Sequence, residues 1–153
     1  MDRQEIAKLY DDYARDVYRL ALSYLHSKQD AEDICQSVFL KLMEKKVVFL
    51  PGKEKAWLLT CTVNACKNHL KSFWKKHMQP MDENMVFTDE SQRELWSLLQ
   101  SLPPKDRALI HLYYYEGYSQ DQIAGILGIS RTAVQTRMQR AREKLKKELR
   151  IYE

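Results

Sequence analysis

The chain has 153 residues and a net charge of +4, and 44% of its residues are hydrophobic while 30% are charged. This balance provides enough apolar residues for packed cores and excludes an intrinsically disordered chain. No apolar run approaches the roughly 20 residues of a membrane span, and the N-terminus lacks the apolar core of a signal peptide.

Glycine and proline are scarce, with four of each, and stretches with strand-like alternation are almost absent. We therefore predict an all-α fold. The three cysteines have no paired spacing that would indicate a disulfide framework. Reduced thiols within helices are typical of cytosolic proteins, so we expect a soluble protein in the cytoplasm.

The first predicted helix runs from Glu5 to Leu25 and carries a continuous apolar stripe at helical spacing. The stripe consists of Ile6, Leu9, Tyr10, Tyr13, Val17, Leu20 and Tyr24. A polar turn follows at residues 26–29. We predict that Asp30 caps the next helix, because a carboxylate at this position can accept a bond from an unpaired backbone N–H.

The second predicted helix, Ala31 to Lys46, has a wider apolar face than one small core requires. Its predicted buried stripe consists of Ile34, Cys35, Val38 and Leu42. Three further apolar residues, Phe39, Leu40 and Met43, lie outside that stripe. Two interpretations stay open. Either the helix is buried on two sides of a bundle, or it docks another protein through a face formed by Asp33, Gln36, Phe39 and Met43.

A loop from Val47 to Lys53 is unusually apolar and contains the turn pair Pro51-Gly52. It could pack into the core or present a pocket. The third predicted helix, Lys53 to His77, holds six lysines against one glutamate, and its predicted buried stripe is Trp57, Leu58, Cys61, Ala65, Cys66, Leu70 and Phe73. Its lysines and amides could follow a phosphate backbone and meet unpaired bases, although an ordinary solvated face would have a similar composition.

Residues 78–93 lack helical periodicity and contain four acidic residues, so we predict a linker. It divides the chain into an N-terminal helical domain, residues 1–77, and a C-terminal helical domain, residues 94–153. Within the second domain we predict a short helix from Glu94 to Leu102. A further helix from Asp106 to Glu116 should follow, with Pro104 in its first turn.

The stretch from Tyr118 to Leu149 predicts a helix-turn-helix. Ser119 and Ser130 are suitable N-caps for its two helices, and Gly128 can take the left-handed conformation that the turn requires. In the second helix, one apolar stripe consists of Val134, Met138, Ala141 and Leu145. The opposite face bears hydroxyl, amide and guanidinium groups that can bond base edges in a major groove.

Charge adds to this interpretation, because Arg131 to Arg150 hold eight basic and two acidic residues. A solvated amphipathic helix at the C-terminus could carry a similar charge. The charge combined with the glycine turn, the two caps and the apolar stripe favours DNA binding.

Three stretches in this order resemble the bacterial RNA polymerase sigma factors of the small two-domain extracytoplasmic-function group. DAEDICQSVFLKL resembles the helix that docks on core polymerase, and KAWLLTCTVNACKNHLK resembles the helix that meets the promoter −10 element. The run LPPKDRALIHLYYYEGYSQDQIAGILGISRTAVQTRMQRAREKL resembles the domain that binds the −35 element. Ser37, Val63 and Asn68 depart from the residues that many members have at these positions.

The resemblance implies a role for each group of candidate residues. Core polymerase would be held by Asp33, Gln36, Phe39 and Met43. The −10 bases would be met by the loop at residues 47–53 and by Asn64, Lys67, Asn68 and Lys71. The −35 base edges would be read by Arg131, Thr132, Gln135, Thr136 and Gln139, with Arg137 and Arg140 on phosphates. The implied partners are core RNA polymerase, promoter DNA and an anti-sigma factor, with no cofactor and no metal.

Two other classes of protein share some of these features. A repressor or activator would share the helix-turn-helix but would need a dimer interface for paired half-sites, and the sequence supplies neither heptads nor a ligand pocket. An enzyme or zinc protein could use Cys61, Cys66 and His69. Two cysteines five residues apart on one helix are poorly placed for chelation, and a fourth ligand is lacking, so we expect a protein without catalytic activity.

Overall fold

The computed structural model of the chain describes residues 2–45, 47–74, 97 and 99–151, and over these ranges it contains helices and loops without a strand. The chain divides into two compact units, Met1–Asp82 and Glu83–Glu153. The all-α prediction is confirmed. The predicted linker, residues 78–93, lies outside the described residues, as do residues 94–96 and 98 of the predicted helix at residues 94–102; residues 97, 99 and 100 of that helix are helical.

The N-terminal unit is a bundle of three helices, α1 (Arg3–Leu25), α2 (Lys28–Glu44) and α3 (Glu54–Trp74), each of which packs against the other two. A capping box starts α1: Asp2 accepts a bond from the N–H of Glu5 at 2.8 Å, and the Glu5 carboxylate accepts one from the N–H of Asp2. The core of the unit includes Val17, Leu20, Tyr24, Ile34, Val38, Phe39, Leu42, Leu58, Leu59, Val63 and Cys66.

The junction between α1 and α2 differs from its prediction, because Ser27 and not Asp30 caps α2. His26 ends α1 in the left-handed conformation with φ of 52°, and the Ser27 Oγ accepts a bond from the N–H of Asp30 at 3.2 Å. Asp30 therefore lies in the first turn of α2, and its Oδ2 lies 3.2 Å from Nε2 of His69 on α3. The sequence could not exclude Ser27, because serine and aspartate are equally good caps.

The buried face of α3 is broader than the predicted stripe. Leu58 and Cys66 are fully buried as predicted, but Leu59, Thr62 and Val63 are fully buried too. The remaining described members of the stripe are half-buried, and the Phe73 side chain lies outside the described residues. The arc is wide because α3 packs against both α1 and α2. The buried Thr62 hydroxyl donates to the Leu58 carbonyl at 2.7 Å, which gives this buried polar group a hydrogen-bond partner.

In the C-terminal unit, α4 (Pro104–Ile110) has proline in its first turn as predicted. The predicted single helix to Glu116 instead widens into a π-helical turn, His111–Tyr115, where the N–H of Glu116 donates to the His111 carbonyl at 3.1 Å. Two further helices follow, α5 (Gln120–Leu127) and α6 (Arg131–Ile151). Both pack against α4 and against each other.

The helix-turn-helix prediction is confirmed in its local geometry. The Ser119 hydroxyl accepts a bond from the N–H of Gln122 at 3.2 Å, and the Gln122 side chain accepts one from the N–H of Ser119 at 2.9 Å. Gly128 ends α5 with φ of 69°, and the Ser130 hydroxyl accepts a bond from the N–H of Ala133 at 3.0 Å. The predicted apolar stripe of α6 faces the core, with its first three members buried.

Candidate nucleic-acid interface

The side of α6 that faces away from the core carries the five predicted base-reading residues and Arg140, one of the two predicted phosphate contacts. All of them are exposed, and we call them the outer face of α6: Arg131, Thr132, Gln135, Thr136, Gln139 and Arg140. The buried stripe on the opposite side fixes which side of the helix is available to a ligand. Amide, hydroxyl and guanidinium groups on one exposed helical face can donate to and accept from base edges.

Two residues of the outer face already have partners within the unit. The Thr136 hydroxyl donates to the Thr132 carbonyl at 3.0 Å, so its oxygen lone pairs and its methyl group remain to contact a ligand. The Arg131 Nε lies 3.5 Å from Oδ1 of Asp121 on α5, and these two side chains are 62% and 70% exposed. An ion pair this exposed contributes little stability.

Other cations of α6 contact the elements beneath it. Arg137 Nη1 lies 3.4 Å from Oδ1 of Asp106 in the first turn of α4. Arg142 Nε donates to the Tyr114 hydroxyl at 3.0 Å, and this hydrogen bond raises the pKa of the guanidinium. The Lys144 ammonium donates to the Ser101 carbonyl. The structure thus gives Arg137, which the resemblance places on phosphate, a partner within the protein.

A shallow concavity of about 440 Å³ lies beside the outer face of α6. It is lined by Gln120, Gln135, Met138, Gln139, Arg142, Glu143 and Lys146. Its amides and cations could hold a base edge or a phosphate. The sequence prediction missed Gln120, Arg142 and Lys146 in this group. Gln120 starts α5, and only the packing of α5 on α6 brings its side chain to the concavity.

The predicted −10 residues share one face of α3. At about 100° per residue, Asn64, Lys67, Asn68 and Lys71 span an arc of roughly 100°. Lys67 is half-buried and the other three are exposed. Val63, which departs from the family pattern, is fully buried and packs in the core beside this face.

The apolar loop from Val47 to Lys53 partly packs against the helices and partly borders a pocket, so each of the two interpretations describes some of its residues. The Phe49 ring packs edge-on against Trp57 of α3, with ring centroids 5.3 Å apart. Val48 and Leu50 face outward and are 96% and 72% exposed. The loop also borders a concavity of about 600 Å³ against α1, lined by Glu5, Lys8, Leu9, Asp12, Tyr13, Val47, Val48, Phe49 and Glu54.

The predicted docking residues of α2 divide into an exposed and a buried group. Asp33, Gln36 and Met43 are exposed, whereas Phe39 is only 5% exposed. Its ring packs edge-on against Tyr10 of α1 with centroids 5.0 Å apart. Phe39 therefore forms the floor of an apolar groove of about 610 Å³ between α1 and α2, whose lining is Arg3, Ile6, Ala7, Tyr10, Asp11, Gln36, Phe39, Leu40 and Met43.

The α1/α2 groove includes residues that the site prediction missed. Leu40 is 56% exposed and Tyr10 is 49% exposed, which are high values for large apolar side chains. The surplus of apolar residues on the second predicted helix was the signal for Leu40. No sequence signal distinguished Tyr10 from the buried members of the α1 stripe.

Thiols and metal-ligand types are dispersed in the part of the chain that the structure describes. No group of three or more His, Cys, Asp or Glu side chains there could hold a metal ion. Burial raises the pKa of the Cys66 thiol, and it also raises the pKa of the half-buried Cys61. His69 faces Asp30 rather than either cysteine. Within the same ranges, no helix has the length and hydropathy of a membrane span.

Comparisons with known proteins match both units. Residues 9–76 match the sigma-70 region 2 family, and residues 92–145 match the sigma-70 region 4 family. The chain is 29% identical over 152 residues to the ECF RNA polymerase sigma factor SigE of Mycolicibacterium smegmatis, covering 91% of this chain and 59% of SigE. It is 27% identical to the probable RNA polymerase sigma factor RfaY of Xanthomonas campestris pv. campestris, covering 87% of this chain and 37% of RfaY. The chain thus spans about half the length of these two relatives.

Two solved structures share the fold. The sigma factor RpoE, in complex with the anti-sigma factor NepR from Bartonella quintana, gives a TM-score of 0.77 at 20% identity, covering 97% of this chain and 98% of RpoE. CnrH, in complex with the cytosolic domain of CnrY, gives a TM-score of 0.71 at 24% identity, covering 98% of this chain and 90% of CnrH. With region 2 and region 4 matched in that order, the chain belongs to the sigma-70 family of RNA polymerase sigma factors.

Proposed function

We propose that this protein docks on core RNA polymerase and directs transcription initiation at promoters that carry its −10 and −35 elements. The observation that carries the proposal is the exposed hydrogen-bonding face of α6 on a helix-turn-helix, in a chain whose first unit matches sigma-70 region 2. A repressor or activator would need the helix-turn-helix but not that first unit. The protein acts by binding rather than by catalysis, in the cytoplasm, where the polymerase and the chromosome lie.

The C-terminal unit contacts the −35 element. The outer face of α6 enters the major groove, where Gln135 and Gln139 reach base edges together with Arg131, Thr132 and Thr136. Paired amide bonds to adenine are the usual role of glutamine in such a groove. Arg140, exposed at the edge of the same face, contacts a phosphate.

The N-terminal unit contacts the −10 element. Asn64 and Asn68 offer amide donors and acceptors, and Lys67 and Lys71 supply positive charge on the same side of α3. Opening the duplex costs a few kcal/mol for each base taken out of the stack. The exposed apolar side chains of the loop, Val48 and Leu50, offset part of this cost by covering an unstacked base.

Core polymerase docks on the groove between α1 and α2. The exposed Met43 and Leu40 provide the apolar contact area, and Phe39 gives the groove a rigid floor. Asp33 and Gln36 are exposed near this surface and supply polar anchors. An apolar centre with a polar rim is the usual anatomy of a specific protein interface.

An anti-sigma factor is a further proposed partner. Both solved structures that share the fold are complexes: RpoE is bound to the anti-sigma factor NepR, and CnrH is bound to the cytosolic domain of CnrY. We propose that such a partner covers the α1/α2 groove and excludes core polymerase from it. The groove leaves large apolar side chains exposed in the chain alone, and this is typical of a protein interaction surface.

The function is tested by run-off transcription with purified core polymerase and a library of randomised promoter sequences. We expect transcripts from templates that share two short sequence elements at a constant spacing. If the chain neither joins core polymerase nor directs initiation from any template, the proposal is wrong.

The docking surface is tested separately with two matched variants. Met43→Glu introduces a charge into the apolar groove and should weaken core binding at least about tenfold, because burying an unpaired carboxylate is costly. Gln29→Glu introduces a carboxylate on exposed α2 surface outside the groove and should leave binding unchanged. Equal affinities of the two variants for core polymerase would place the docking surface elsewhere.

A further inference from the structure

The cations of α6 differ in what they contact. Arg140 and Arg142 are exposed and Arg137 is half-buried; Arg137 reaches Asp106 and Arg142 reaches Tyr114, each on another element of the unit. Asp106, the partner of Arg137, is only 13% exposed, and the Arg137 side chain is 32% exposed. A pair that lies partly beneath the helix is less accessible to a DNA phosphate than the outer face is.

The two pairs lie on opposite sides of the buried stripe of α6. At about 100° per residue, Arg137 is displaced by roughly 60° from Val134 to one side, and Arg142 by roughly 40° from Met138 to the other. Arg137 reaches the first turn of α4, and Arg142 reaches Tyr114 in the π-helical turn. The guanidinium of Arg142 also lies 5.6 Å from the centre of the Tyr113 ring, within range for a cation–π contact.

Contacts on both sides of a helix oppose its rotation about its own axis. Apolar packing restrains this rotation through the fit of side-chain shapes, and a hydrogen bond or ion pair adds a restraint that depends on distance and direction. Side-chain tips lie about 5–6 Å from a helix axis, so a rotation of about 20° displaces them by about 2 Å. A displacement of about 2 Å breaks a hydrogen bond, whose length varies over only a few tenths of an ångström.

We propose that two pairs, Arg137 with Asp106 and Arg142 with Tyr114, fix the orientation of α6 about its own axis and thereby its preference for particular bases. Arg137 and Arg142 are then positioning residues, and Arg137 does not contact phosphate. This inference rests on the proposed reading of the −35 element by α6. It assigns the phosphate contact to Arg140, which lies about 60° further round the helix toward the outer face.

The test uses the full chain bound to core polymerase and the tightest promoter that the wild-type chain selects from the randomised library. Two quantities are measured for each variant: the slope of log affinity against log salt, and the discrimination between the selected −35 sequence and its single-base variants. Thermal unfolding curves measured by circular dichroism identify a temperature at which every variant is folded, and all binding is measured at that temperature. The variants are Asp106→Asn, Arg137→Gln and Tyr114→Phe, with Arg140→Gln as the matched control.

We expect Arg137→Gln and Asp106→Asn each to reduce base discrimination about threefold to fivefold, the scale of a partly exposed ion pair, without changing the salt slope. Tyr114→Phe should have a smaller effect in the same direction, because Arg142 keeps its contacts with the rings. Arg140→Gln should lower the salt slope by about 1 and leave base discrimination unchanged.

Three results would overturn the inference. A salt slope lowered by about 1 in Arg137→Gln, with base discrimination intact, would show a phosphate contact. Unchanged discrimination and slope in both Asp106→Asn and Arg137→Gln would leave the pair a role in stability alone. A wild-type chain that selects no promoter would overturn the proposed function and the inference with it, and this outcome is distinct because it precedes any variant.

Discussion

The turn of the helix-turn-helix permits a sharp test, because two glycines three residues apart should respond to the same substitution with opposite signs. Gly128 ends α5 with φ of 69°, a left-handed conformation that costs an L-residue about 1–2 kcal/mol. Gly125 lies inside α5 without a positive φ, and a Cβ added there would meet nothing within 4 Å. Gly128→Ala should therefore destabilise the C-terminal unit by about 1–2 kcal/mol, and Gly125→Ala should stabilise it by about 0.5–1 kcal/mol.

The assay is hydrogen exchange at the backbone amides of Val134 and Met138 in α6, under conditions where the exchange rate follows the opening equilibrium. A change of 1.4 kcal/mol is a factor of ten in that equilibrium, so Gly128→Ala should speed exchange about tenfold. Gly125→Ala should slow it about threefold, because it removes conformational freedom from the unfolded chain and improves helix propensity.

The two variants control for each other, since both add one methyl group to an exposed position of the same helix and turn. If Gly128→Ala left exchange unchanged or slowed it, residue 128 would not have the left-handed conformation in the folded unit. If Gly125→Ala also accelerated exchange, the helical conformation or the open surroundings assigned to Gly125 would be wrong.

Three further predictions concern the core and the interface. Phe39→Ala should lower the free energy of unfolding by about 3–5 kcal/mol in urea titrations, because the ring is buried under Tyr10, and a loss below 1 kcal/mol would contradict its role as the groove floor. Gln139→Ala should remove about 1–3 kcal/mol of the binding free energy by which the chain distinguishes the selected base pair from the other three at one promoter position. Binding to single-base promoter variants measures this difference, and equal weakening on every sequence would exclude base reading. Burial raises the pKa of the Cys66 thiol in the folded state. The contribution of this thiol to the free energy of unfolding is therefore fully present below its ordinary pKa. It decreases as pH rises above about 8.5, because there the thiol ionises in the unfolded state and not in the folded one. The free energy of unfolding should fall there by up to about 1.4 kcal/mol per pH unit more in the wild type than in Cys66→Ala, and parallel curves would contradict the assignment.

The sequence correctly predicted those features of the fold that depend on residues a few positions apart along the chain. Ser119, Gly128 and Ser130 sit at the caps and the turn of the helix-turn-helix, because capping and a positive φ depend on residues a few positions apart. The apolar stripe of α6 followed from helical periodicity alone. The order of the three family-like stretches also pointed to the sigma-70 regions that the comparisons matched.

Misassigned features depended on which helix packs against which. The α3 stripe was predicted too narrow because its periodicity cannot show that two helices cover it, and Leu59 and Val63 are buried as a result. The choice between Ser27 and Asp30 as the α2 cap was decided at the end of α1, where His26 takes a left-handed conformation. Phe39 stood out as surplus apolar area, but its place on the floor of a groove depends on Tyr10 of the neighbouring helix.

The amino-acid pattern was sufficient to predict an all-helical chain, its C-terminal helix-turn-helix and the set of cations and amides on α6. Only the tertiary structure decided how those cations are used, because α4 and the π-helical turn bring Asp106 and Tyr114 to the sides of α6 from 31 and 28 residues away. Charge and periodicity are properties of one helix, whereas an ion pair between helices requires the packing that places its two side chains together. Arg137 and Arg140 are therefore similar in the sequence, but in the folded unit one contacts Asp106 and the other faces solvent.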